Sequence, residues 1–342
     1  MPSTPDRPLV VVNFNAARAR RAWPRIREQL TRGGLRFDTD APAAPGDTES
    51  SVRRALREGY RVVAVVGGDG TLGEAARGFF EAPAGGAGGS EPPAPVNPSA
   101  ALAILPAGTG DDFARGLAAR RAPLDEWLRR LLAHRQRQTE NEKTPGETAR
   151  ELADTTRRVD VLYDKVDGGA RRFVCLNAAT LGVGAEVAAR VAAQGASARR
   201  LPGEARFALA AVGALVAWRN RPVRIELDDA PPFECETNLI AVTNGPYAGG
   251  GMNFAPGARP DDGRLEALTV CRISRAGLVR ELARVHRGGH LGNPKVVLCT
   301  GTRVRVTTLD AGAPLPVEAD GDPRGRTPAA FRVMPAALSV VW

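Results

Sequence analysis

Residues 62–79 read VVAVVGGDGTLGEAARGF, a run of small β-branched residues that passes through Gly67-Gly68-Asp69-Gly70-Thr71 straight into a helix-forming segment. An unbroken apolar run of this length reads as a strand buried on both faces, the signature of a central strand in a parallel sheet. Glycines at its end let the backbone approach a phosphate closely, and the free N–H groups of the helix that follows favour an anion there. Asp69 stands among those amides and cannot itself hold a phosphate, so the reading directs it at magnesium or the metal's water shell. A tight turn with no ligand is the bland alternative. Gly68-x-Gly70-x-x-Gly73 also matches the dinucleotide fingerprint, but the acidic residue needed downstream would fall in a Gly/Pro-rich segment where no second strand ends.

Residues 101–117, ALAILPAGTGDDFARGL, repeat the pattern: a strand ends at Pro106, Gly108-Thr109-Gly110 turn the chain, and Asp111-Asp112 begin a helix. Two glycine turns at the carboxyl ends of parallel strands share one edge of the sheet, where α/β proteins bind ligands. Thr109 can donate to a phosphate and Asp112 can join a metal or water network; alone, the two aspartates would be helix caps. Around these turns, residues 8–116 alternate strands (LVVVNF at 9–14, RVVAVV at 61–66) with helical segments at 16–30, 50–59 and 72–80. That is an α/β sheet covered by helices. Residues 82–98 read as a flexible surface insertion.

A polar stretch at 134–157 separates this half from a region of different texture. From Val159 onward short strand-like runs recur at turn-like intervals, with helices near 187–206, 207–218 and 276–287, which predicts a mostly antiparallel β-sandwich. The expected division is a nucleotide domain at 1–135, a polar interdomain region at 136–157 and a β domain at 158–342. A length of 342 residues suits two domains.

Hydrophobic residues make up 43% and charged residues 25% of the chain, which is globular usage and excludes a wholly disordered protein. The net charge of +9 comes from scattered arginines, since only Lys143, Lys165 and Lys295 of the 47 basic residues are lysine. No basic run alternates with aromatics as a nucleic-acid surface would, and a diffuse positive surface suits anionic lipid headgroups. Cys175, Cys235, Cys271 and Cys299 lack the paired spacing of a zinc site and read as buried, reduced thiols. The N-terminus shows no secretory pattern, and the best apolar run, 207–218, is too short to span a bilayer and reads as a core helix. His286 and His290 read as a surface pair rather than a metal site.

GGDGT followed by PAGTGDDFAR, then Asn177 with Gly182-x-Gly184-Ala185, then NGPYAGGGMNFAPGARPDDGRLE and ADGDPRG, resembles the bacterial diacylglycerol kinase catalytic-domain family, related to sphingosine and ceramide kinases. The resemblance covers nearly the whole chain. It implies a Rossmann-like or phosphofructokinase-like nucleotide domain before the β-sandwich, and an ATP- and magnesium-dependent lipid kinase, with diacylglycerol converted to phosphatidic acid. It implies an ATP site of the first loop (Asn13 to Ala17), Thr39, Gly67, Gly68, Asp69, Gly70, Thr71, Gly73, Gly108 and Thr109. It further implies a structural magnesium on the Asp262 side chain and the backbone carbonyls of Arg259 and Arg264, linked to the nucleotide through Asp112 and Asp69. Asp322 takes the position of the family's general base. The chain departs from the pattern at Phe14 and Ala17 (for Pro and Gly), Gly73 and Asp111 (each for Asn) and Asp322 (for Glu). The partner implied is a lipid at a membrane surface, for a cytoplasmic, peripherally membrane-associated protein; a homodimer is left open. The alternatives are an NAD kinase, which shares GGDGT but lacks the later motifs, and a catalytically silent lipid- or nucleotide-binding relative. The consensus Gly-x-x-x-x-Gly-Lys-Ser/Thr of P-loop kinases is absent.

Overall fold

The computed structural model describes residues 7–82, 91–143, 154–194 and 203–342. Four strands, β1 (Leu9–Val12), β2 (Asp38–Asp40), β3 (Val62–Gly67) and β4 (Ala101–Pro106), form a parallel sheet in the order β2-β1-β3-β4. β1 and β3 are buried along their whole length and β4 up to Pro106, as their unbroken apolar sequences require. Packed on them are α1 (Ala17–Arg32), α2 (Asp47–Arg57), α3 (Asp69–Gly78), α4 (Asp112–Leu117) and α5 (Leu124–Lys143). α3 begins at Asp69, three residues earlier than its periodicity suggests, so its free amides lie inside the glycine motif.

The remaining strands are β5 (Thr156–Val166), β6 (Arg171–Cys175), β7 (Ala178–Gly182), β8 (Arg221–Leu227), β9 (Phe233–Thr243), β10 (Tyr247–Ala248), β11 (Met252–Asn253), β12 (Leu265–Cys271), β13 (Val296–Gly301), β14 (Arg303–Thr308), β15 (Pro316–Ala319), β16 (Asp322–Arg326) and β17 (Ala329–Val341). All but β10 and β11, which pair with each other as a separate antiparallel hairpin, run mostly antiparallel in the order β16-β15-β7-β9-β8-β14-β17, with β12 and β13 added beside β9 and β5 and β6 beside β17. Among the described residues three α-helices accompany them: α6 (Val183–Ala192), α7 (Gly203–Ala217) and α8 (Arg275–Val285).

β17 joins the two halves. Its start pairs antiparallel with β14, and its end pairs parallel with β4 through Ser339 opposite Ala101 and Val340 opposite Leu102. Val159, Val161, Leu338, Val340 and Val341 therefore bury in the first core although they were read as part of the second domain, while Leu162, Val166 and Phe331 face the second core. The strand carries apolar residues at both ends, and each end finds a different core. The polar stretch read between the domains starts inside α5 and ends in β5; its residues 144–153, like 83–90 of the expected insertion and 195–202 beside α6, lie outside the described residues.

Two sequence expectations change. Cys235 and Cys271 stand on neighbouring strands β9 and β12 with their Sγ atoms 2.9 Å apart and are only partly buried. His290 is buried, bonding the Phe254 carbonyl at 3.0 Å, while His286 meets the Gly251 carbonyl at 3.2 Å. His290 is therefore an interior residue while His286 stays exposed, and both hold the loop Gly249 to Phe254 in place.

Candidate active site

β3 and β4 end side by side, with Gly67 in register with Pro106, so the two glycine turns meet at one sheet edge. A Cβ on Gly108 would lie 2.6 Å from the Gly68 Cα, closer than real atoms pack, so only glycine lets these backbones touch. The first loop is tied to the same place: Asn13 Nδ2 donates to Thr71 Oγ1 at 2.8 Å, and Arg18 Nη1 to the Gly108 carbonyl at 3.1 Å. Asn13 Oδ1 accepts from the Asn15 and Ala16 amides, which fixes the loop without the family's proline and glycine. Gly70 and Thr109 stand exposed at the rim, whereas Gly67, Thr71 and Gly73 are buried behind it. Thr39 lies exposed on the edge strand β2, in register with Val10, and no side-chain bond ties it to either turn.

The aspartates connect the turns to each other and to the second half. Asp69 Oδ1 accepts from the Phe113 amide at 3.1 Å, bridging the first turn to α4. Asp112 Oδ2 accepts from the Gly250 amide at 2.7 Å, bridging α4 to the Gly249–Phe254 loop, and its buried Oδ1 has no partner. Burial, then the negative charge of Asp69, pushes the Asp112 carboxyl up to about 6; burial likewise raises Asp69, against the Asp112 and Phe113 amides. Asp111, at φ 50°, turns its Oδ1 onto the Gly108 amide at 2.7 Å. Asn would accept the same bond; what the aspartate adds is a negative charge 3.9 Å from Arg121.

The β15–β16 turn brings the second half's acids against α3. Asp320, at φ 49°, accepts from the Leu176 and Asn177 amides at 2.8 and 2.9 Å and from the Cys175 thiol. A Cβ on Gly73 would come within 2.6 Å of the Asp320 Cβ, so the family's Asn has no room at Gly73. Asp322 Oδ2 receives Nη2 of Arg77 at 3.0 Å and Nη2 of Arg324 at 2.9 Å. Arg77, buried on α3, also donates through Nε to Glu49 at 3.0 Å. Sequence reading missed Arg77; its place two helical turns after Asp69 was the only local signal.

These acids close one end of a cavity of about 480 Å³. Asp69, Asp112, Asp320 and Asp322 line it together with Asn177 and Thr180, and most of the other lining residues are apolar, Val187, Leu215, Met252, Phe254 and Leu282 among them. Glu318, also missed, is buried in the same lining. It stands in β15, whose three last residues are all buried, and no local sequence signal marks it.

The predicted metal residues sit elsewhere. Asp262 is exposed, with Oδ1 accepting from the Arg264 amide at 3.0 Å, in a loop fixed by Asp160, which accepts from the Gly263 amide at 2.7 Å. No bond joins Asp262 to Asp112 or Asp69, and among the described residues no three His, Cys, Asp or Glu side chains cluster in metal-holding geometry. Magnesium needs only one or two carboxylates beside backbone oxygens and water. The one uncommitted oxygen of Asp262 fits that habit, and the touching glycine turns at the start of α3 fit a nucleotide phosphate.

Two family models cover the chain: "Diacylglycerol kinase catalytic domain" over residues 7–158 and "YegS C-terminal NAD kinase beta sandwich-like domain" over residues 179–342. The chain is 32% identical over 302 residues to a Pseudomonas aeruginosa protein named "Probable lipid kinase YegS-like", covering 86% of this chain and 81% of that one. It is 25% identical to a diacylglycerol kinase of Staphylococcus carnosus, covering 91% and 86%. The crystal structure of a diacylglycerol kinase from Bacillus anthracis superimposes with a TM-score of 0.63 at 18% identity, over 98% of this chain and 97% of that one, a likeness of fold.

Proposed function

The chain belongs to the YegS-like and diacylglycerol kinase family of lipid kinases, and from that premise we propose that it phosphorylates the free hydroxyl of diacylglycerol with ATP and Mg²⁺. The observation that carries this reading is a cavity whose walls are mostly apolar and which carries acids beside Asp69 and Gly70 of the first glycine turn. A two-chain lipid would fill the apolar part with its hydroxyl at the acids. Residues 1–135 hold ATP, residues 158–342 hold the lipid, and 136–157 lie between.

The glycine turns and the start of α3 bind the phosphates through backbone amides, and Asn13 and Arg18 keep the first loop on them. Bound Mg²⁺ supplies neutralisation of phosphate charge. A separate, structural Mg²⁺ would be held by Asp262 with the Arg259 and Arg264 carbonyls, and Asp112 and Asp69 would link it to the nucleotide. Asp322 takes the hydroxyl proton; Arg77 and Arg324 both bind its Oδ2, which orients the carboxylate and leaves Oδ1 for that proton. Exposed Leu209, Val212 and Val216 of α7 and Val279 of α8 stand beside the cavity, and Val212 and Val279 also line it. This rim rests on the membrane, aided by the positive chain, and no helix among the described residues is long and apolar enough to cross it.

The test is transfer of labelled phosphate from ATP to a panel of dioctanoylglycerol, sphingosine and NAD. Label in the glycerolipid is expected; label in NAD alone would overturn the reading. For the metal, chelation should lower the melting temperature of the wild type, and Asp262→Asn should abolish that response. An equal response in both proteins removes Asp262 from the site.

A further inference from the structure

One acid in the cavity wall has no part in the phosphoryl transfer described above. Glu318 is buried on β15, with Oε1 accepting from Thr180 Oγ1 at 3.1 Å and Oε2 from the Gly321 amide at 3.2 Å. Neither bond brings a positive charge. A buried carboxylate without a cation takes up a proton instead. Burial first, reinforced by Asp320 and Asp322 and opposed by the bonds from Thr180 and Gly321, pushes the Glu318 carboxyl up to about 8. The other titratable groups around it are the buried Cys175 thiol, which Glu318 helps push up, Asp69 and Asp112 in the same cavity lining, and Arg77 and Arg324 engaged on Asp322; Glu186 and Arg190 of the packed helix α6 pair with each other at 2.9 Å.

The cavity is otherwise poor in donors. Asn177 commits one of its two Nδ2 hydrogens to the Tyr247 carbonyl at 2.9 Å, Thr180 spends its hydroxyl on Glu318, and the four aspartates offer acceptors. An acyl ester offers only acceptors, so a lipid with ester linkages needs a donor in this wall. We propose that Glu318 is a substrate-positioning residue whose neutral carboxyl donates a hydrogen bond to an ester carbonyl of the lipid, beside the hydroxyl that Asp322 deprotonates. This rests on the lipid-kinase reading and names the linkage which that site reads. Diacyl lipids are thereby preferred over dialkyl ethers of the same length, which present a weaker acceptor, and over a sphingoid base, whose ammonium would call for a charged carboxylate.

The test is steady-state kinetics of the full chain in neutral detergent micelles with dioctanoylglycerol and with its dioctyl ether, from pH 7 to 9.5, above the titration of Asp112. In the wild type, KM for the ester rises as pH passes about 8 while kcat changes little. Glu318→Gln keeps a neutral donor and the same shape, so it retains activity and its KM stays flat with pH. Glu318→Leu raises KM for the ester roughly three- to tenfold at pH 7, the factor for one net hydrogen bond, and leaves KM for the ether unchanged. Melting temperature gives an independent readout. The folded chain holds this proton more tightly than an unfolded carboxyl titrating near 4.5, so stability falls as pH rises from there to about 8, and Glu318→Gln removes that slope. An alkaline rise in KM that persists in Glu318→Gln, or equal effects of Glu318→Leu on ester and ether, overturns the proposal. So does a KM for sphingosine that falls as pH rises in the wild type and not in Glu318→Gln. Wild-type protein that phosphorylates neither lipid sinks the substrate reading itself, a result distinct from all of these.

Discussion

Asp69→Asn is expected to leave a folded protein whose turnover drops by on the order of 10²- to 10³-fold or more, the scale of losing one preorganised electrostatic group at a phosphoryl-transfer site. Asn keeps an oxygen for the Phe113 amide, so the bridge between the glycine turns and α4 survives. What disappears is the negative charge facing the metal's water shell. The same charge is the second cause, after burial, of the raised Asp112 carboxyl. The acid limb of the rate profile near pH 6 should therefore move to lower pH in the variant. Melting temperature, nucleotide binding and the pH–rate profile of the purified variant check this together; wild-type turnover would remove Asp69 from the site.

Asp322→Asn is expected to lower kcat on the order of 10²- to 10⁴-fold, the usual effect of removing a general base, with ATP binding unchanged. Asn still offers an oxygen to Arg77 and Arg324, so the turn keeps its two ties to α3 and β16. Asp322→Glu restores the family's methylene and should maintain or raise kcat. Asp320→Asn is the contrasting variant. Asp320 accepts from two buried backbone amides and a thiol, so its loss should appear first in melting temperature. Full activity in Asp322→Asn, with an inactive yet stably folded Asp320→Asn, would move the proton acceptor to Asp320.

The glycine turns and their sheet were legible because local signals agree there: unbroken apolar strands, glycines at their ends, helix formers immediately after. Asp322 and Asp69 could be picked out by motif, and the structure places both in one cavity lining. Arg77 was not legible as Asp322's partner, because the pair is 245 positions apart and its spacing from Asp69 says nothing of Asp322. Glu318 was hidden for a different reason. An acid in a strand normally reads as solvent-facing, and only the packing of α6 and β7 around β15 shows that this one is inside. The division of β17 between two cores likewise depends on non-local pairing, since its alternating sequence permits either partner. The reason for Gly73 is equally non-local, since Asp320 occupies the space that the family's Asn side chain would take.

The account stands or falls on the apolar cavity being the lipid's place and the glycine turns the nucleotide's. Ala188, half-buried on α6 in the cavity wall, tests this directly when replaced by Trp, which fills the apolar part without touching either turn. The measurement is phosphate transfer from ATP to dioctanoylglycerol, alongside ATP affinity and melting temperature. The account predicts that Ala188→Trp loses transfer while ATP affinity and melting temperature stay near wild type. Undiminished transfer in a cavity so filled would contradict it.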